Sequence, residues 1–149
     1  MSTTTNPNEL VSEMKKDFKT FFTVCQTLTE AQSLAPDVCG EWSAKAVVDH
    51  LTGWQVQSLP IINALLAEDK TAFDLDIDAF NQISVGDRHD LIWPESLNAF
   101  ERSFKAFMEE LEEIPESRFT TEAGLMTWVK AMIHEYKFHL PQIQRAQSL

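Results

Sequence analysis

Leu10, Val11, Met14, Phe18, Phe21, Phe22, Cys25 and Leu28 recur at intervals of three and four. That spacing follows the 3.6-residue turn of an α-helix and places all of them on one stripe, so the segment is predicted to be a helix with a single buried face, starting near Pro7.

The pattern returns three times. After a loop holding Pro36 and Gly40, Ser43 is placed to N-cap a second helix with Val47, His50, Leu51 and Trp54 on its stripe. Pro60 falls inside the continuing pattern of Ile61, Ile62, Leu65 and Leu66, which predicts a kink rather than an end. A third helix begins at Pro94 and carries Leu97, Phe100, Phe104, Phe107, Met108, Leu111 and Ile114 up to Pro115; its other face, with Glu109, Glu110, Glu112 and Glu113, reads as solvated surface. The fourth starts near Thr121 or Glu122 and carries Leu125, Trp128, Val129, Met132, Tyr136, Leu140 and Ile143, with a bend expected at Pro141.

From Asp69 to Trp93 the period is lost, apart from a short helix expected around Ile77 to Val85. This is a long crossover connection between the second and third helices, and connections of this length are commonly functional. Four long helices and one crossover predict an all-α four-helix bundle, residues 1–149 forming a single domain. Only four glycines in 149 residues fit long helices with short connections.

Charge narrows the partners. Twelve Lys plus Arg against 23 Asp plus Glu give a net charge of −11 with no basic cluster, which disfavours nucleic acid and anionic membranes. No apolar run reaches the roughly 18 residues of a membrane span, and Met1 to Asn8 lack the features of a secretion signal, so a cytoplasmic location is expected. Cys25 and Cys39 have no CxxC spacing and read as buried, reduced thiols. Nucleophile elbows of the GxSxG type and glycine-rich phosphate loops are absent.

The chemistry-bearing residues are the histidines on the second and fourth helices: His50, His134 and His139. Positions five apart on a helix differ by about 140°, so His134 and His139 cannot readily share an ion. Glu135 and His139 are four apart and sit on the stripe of Trp128, Met132 and Ile143, aimed at the core together. A third ligand from His50 would complete a His2Glu set with one open coordination position, where a water is acidified or a substrate atom polarised. The competing reading is that His and Glu pair with each other on partly apolar faces. His89, between Arg88 and Asp90, reads as solvated.

Gly40-Glu41-Trp42-Ser43, followed by Val47-Val48-Asp49-His50-Leu51 and Trp54, resembles the entry to the second helix of DinB-like proteins. His139-Leu140-Pro141-Gln142-Ile143 resembles that superfamily's closing motif, and Asp76-Ile77-Asp78-Ala79-Phe80-Asn81 the crossover of its ClbS/DfsB branch. The resemblance implies a bundle of up-down-down-up topology, a homodimer, and a divalent ion held by one His on the second helix and two on the fourth. His50 matches the first ligand and His139 the last; the middle position carries Glu135, whose harder oxygen favours Zn or Mn, with Ni also accessible. It further implies a metal-dependent hydrolase or thiol-dependent transferase acting on a small electrophilic molecule in detoxification or self-resistance, with Trp54, Asn81 and Tyr136 as pocket-lining candidates. Two alternatives use the same fold: a metal-free protein binding a small ligand in a cavity opened at Pro60, and an interaction module that dimerises through its aromatic helices.

Overall fold

The computed structural model describes residues 6–149, and the polar opening residues Met1 to Thr5 lie outside them. The described chain is all helical: α1 (Pro7–Gln26), α2 (Glu30–Leu34), α3 (Ala44–Leu66), α4 (Ile77–Asp87), α5 (Trp93–Glu112), α6 (Glu116–Thr121) and α7 (Ala123–Ala146).

Local chemistry sets most of these boundaries. The Asn6 side chain accepts from the amides of Asn8 and Glu9 at the start of α1, and Ser43 Oγ accepts from the Ala46 amide at the start of α3, as its position predicts. Helix α3 continues through Pro60. Proline has no N–H for the Val56 carbonyl, and residue 56 lies at an exposed position where water can serve that group. Helix α7 likewise runs through Pro141.

Three expectations are adjusted. Leu28 lies beyond α1 but stays buried, because a tight turn bonds its amide to the Cys25 carbonyl. The loop before Ser43 contains α2, closed by a capping box between Thr29 and Gln32, and α6 follows Pro115. Helices of five and six residues are too short to show a period, which is why the apolar pattern missed them.

Helix α3 packs along α5, α1 along α7, and α3 also meets α7; the crossover helix α4 lies on α3. Inside, Phe18 stacks on Phe104 with ring centroids 3.8 Å apart, while Phe100 and the edge of Tyr136 close around it. Two polar ties fix α7 against α3. Tyr136 donates to Gln55 Oε1 (2.7 Å), whose Nε2 donates to the Phe100 carbonyl (2.8 Å), and Trp128 Nε1 donates to Ser58 Oγ (2.8 Å). Helix α4 is held by Lys45, which reaches both Asp49 Oδ2 (2.8 Å) and the Arg88 carbonyl (2.9 Å), and by the contact of Ser84 with the bare backbone of Gly53. No described helix is long and apolar enough to cross a membrane.

Candidate metal centre

The ties between α3 and α7 bring His50, Glu135 and His139 together: one ligand atom from each lies within 4.8 Å of the other two. His50 Nε2 is 3.3 Å from Glu135 Oε1, and His139 Nε2 is 4.0 Å from the same oxygen. The imidazoles meet edge to face with centroids 5.3 Å apart. Both are almost fully buried, while the Glu135 side chain is 29 % exposed, so solvent reaches the cluster along the carboxylate.

A hydrogen-bond chain fixes which nitrogen of His50 faces the cluster. The Trp54 indole has only a donor, and Trp54 Nε1 lies 2.7 Å from Asn81 Oδ1, so that atom of Asn81 has to be the oxygen. The same oxygen lies 2.9 Å from His50 Nδ1, which must therefore carry a proton. In the neutral ring Nε2 is left with its lone pair, aimed at Glu135. At His139, Nδ1 is 2.6 Å from Gln142 Oε1, and Nε2 faces the cluster.

Two imidazole lone pairs and a carboxylate oxygen converging on one point repel each other unless positive charge lies between them. A divalent cation supplies it. Bonds of about 2.1 Å in tetrahedral geometry place ligand atoms about 3.4 Å apart; the His50 to Glu135 separation meets this, and His139 must close by about 0.6 Å toward Glu135 and by up to about 1.4 Å toward His50. The donor set therefore fits zinc-like coordination with Nδ1 of each imidazole anchored by an amide oxygen, the usual support of metal-bound histidine.

The electrostatics agree. Burial raises the Glu135 carboxyl, but the close approach of His50 and the fields of the surrounding imidazoles His139, His50 and His134 outweigh it and hold it below the ordinary carboxylate value. Burial lowers the His139 imidazole despite the opposing effects of Gln142 and Glu135, which keeps the ring neutral. Both shifts favour the protonation states that bind a cation.

Of the expected pocket residues, Trp54 and Asn81 line a cavity of about 300 Å³ beside the cluster, together with Ile77, Trp128, Ala131, Met132, His134 and Glu135. Tyr136 does not line it. One residue past Glu135 is about 100° around the helix, and the Tyr136 ring lies in the phenylalanine core, 1 % exposed. His134 lies at the cavity and against Phe138 rather than beside His139, as the spacing predicts. His89 is exposed and 3.5 Å from Asp90. Both cysteines are free; Cys25 is buried, with its thiol pushed far above the ordinary value by desolvation, and Cys39 is half-buried.

Sequence reasoning missed Gln142 and Trp128 as parts of the site. The spacing of three from His139 to Gln142 carries the first signal, since side chains so spaced meet on a helix. Trp128 was legible only as core. Compared with protein-family models, curated proteins and solved structures, the chain finds no match.

Proposed function

We propose that this chain is a DinB-like four-helix bundle of up-down-down-up topology, with α1, α3, α5 and α7 as its helices and residues 67–92 as its crossover, and that it is a metal-dependent hydrolase or thiol-dependent transferase acting on a small electrophilic molecule. The observation that carries the reading is the convergence of His50, Glu135 and His139 ligand atoms within 4.8 Å, with each imidazole's Nδ1 occupied by an amide oxygen.

Bound there, a divalent ion such as zinc, manganese or nickel supplies Lewis-acid polarisation and an acidified water. The chain's own contributions are separate. His50 and His139 offer imidazole nitrogens held in place from behind, and Glu135, partly open to solvent, offers the negative charge. The neighbouring cavity gives a small molecule a place to sit against Glu135.

The 3.3 Å approach of His50 to Glu135 supports a second reading: a metal-free ligand-binding protein in which a proton on His50 supplies the positive charge. Elemental analysis of protein purified without chelator or a metal-binding tag separates the two. Near-stoichiometric metal, lost in folded His50→Ala and Glu135→Ala variants, supports the metal reading. Absence of metal after adding zinc, nickel or manganese, or unchanged content in the variants, overturns it in favour of the second.

A further inference from the structure

The cavity beside the cluster has an unusual distribution of polar groups. Its walls include the indoles of Trp54 and Trp128, with centroids 5.8 Å apart and planes inclined at 56°. Neither indole offers a donor to a ligand, because Trp54 Nε1 is bonded to Asn81 and Trp128 Nε1 to Ser58. Ring surfaces remain, and these bind flat apolar groups.

One donor at the cavity is unspent. Asn81 Oδ1 accepts from both Trp54 and His50, which leaves the Nδ2 amino group without a partner among the described residues while Asn81 lines the cavity. A hydrogen-bond acceptor on the ligand satisfies it. Charge on the polar end of the ligand is disfavoured for two reasons: an anion meets Glu135 in a chain of net charge −11, and a cation at the same position meets the donor hydrogens of the Asn81 amino group.

We propose that the cavity takes an uncharged, flat, largely apolar molecule bearing a carbonyl group, the carbonyl oxygen accepting from Asn81 Nδ2 and its carbon lying toward Glu135. The inference deepens the proposed function and rests on its placement of the reactive centre at His50, Glu135 and His139. At about 300 Å³ the cavity lies at the small end of ligand sites, so the substrate is smaller than a typical drug.

The test uses the full chain stripped of metal and four probes with one ring system: 2-naphthamide, naphthalene, 2-naphthoate and 2-naphthylmethylammonium, titrated by amide chemical-shift changes. The amide is expected to bind about fivefold to tenfold more tightly than the other three, the range of one net hydrogen bond. Asn81→Asp keeps an oxygen for Trp54 and His50 but replaces the amino group, so the preference for the amide should vanish while the His50 tautomer stays. Naphthalene or a charged probe binding as well as the amide, no binding of the amide, or an amide preference that survives in Asn81→Asp overturns the inference. Because the titration is metal-free, an amide preference in a chain that holds no metal supports this inference even as the metal reading fails, and metal binding without the preference overturns this one alone.

Discussion

Trp54 and Asn81 together decide which nitrogen of His50 faces Glu135: the indole N–H, 2.7 Å from Asn81 Oδ1, forbids the amide from turning, and the amide oxygen then holds the proton on His50 Nδ1. Residues from α3 and α4, 27 positions apart, thus orient an imidazole that neither would orient alone.

Trp54→Phe tests that relationship. The phenyl ring keeps the packing against Phe80, whose centroid is 4.4 Å from the indole, but releases the amide. Nitrogen-15 shifts of the His50 ring in metal-free protein should report one Nδ1–H tautomer in the parent and a mixture in the variant. Metal affinity should fall by about tenfold or more, as for other losses of support behind a ligand. An unchanged tautomer in the variant sinks the argument.

Glu135→Gln preserves shape and removes the charge. Zinc at about 100 times its dissociation constant stabilises a folded protein by about 2.7 kcal/mol, which for a chain of this length raises Tm by about 5 to 11 °C. The parent should show that rise, and Glu135→Gln at the same zinc concentration should show little of it. Equal rises in the two would place the zinc elsewhere.

Without metal, stability should fall in mild acid. The folded His139 value lies below the ordinary 6.5 because burial penalises the charged ring. The unfolded chain therefore binds the proton first, and stability declines as pH drops from 6.5 through the folded value. Glu135 adds a decline of the same sign at lower pH, its contribution being present above 4.5 and lost through its lowered folded value. Asp49 acts oppositely: burial raises its carboxyl despite Lys45 and Ser96, so its contribution is fullest below 3.8 and fades as pH rises. Urea midpoints at pH 7.5, 6.5 and 5.5 should decrease in order for the parent and flatten in His139→Gln. A flat parent profile would refute this.

The long helices and the pairing of Glu135 with His139 were legible because helix periodicity is local: a stripe at three and four is a property of consecutive residues. The approach of His50 was legible only as a ligand the set needed, since its 85-residue separation from Glu135 is bridged by packing of α3 on α7. Tyr136 shows the limit of the same periodicity. Stripe membership placed it on the buried side of α7, which it occupies, but could not say whether that arc met a cavity or the Phe18 core. The donors behind the imidazoles show another: Gln142 is set by helix spacing, whereas Asn81 depends on how α4 docks.

That docking rests on Gly53. A methyl group added there would lie 2.5 Å from Ser84 Cβ and closer still to its hydroxyl, and Ser84 is itself buried on α4. In an open helix, Gly→Ala stabilises by about 1 kcal/mol; here the clash should reverse the sign and destabilise by about 1 to 3 kcal/mol, the range for overpacking a filled interior. Helix α4 must shift to relieve it, and Asn81 moves with α4, so Gly53→Ala should also blur the His50 tautomer although residue 53 contributes no side chain to the cluster or the cavity. Ser84→Gly removes both clashing atoms, and the Gly53→Ala, Ser84→Gly pair should recover the parent's tautomer and much of its stability, a coupling that a double-mutant cycle measures directly. Additive losses in that cycle would mean that α4 is not seated through this contact and that Asn81 is held over His50 by the Lys45 tie to the Arg88 carbonyl instead.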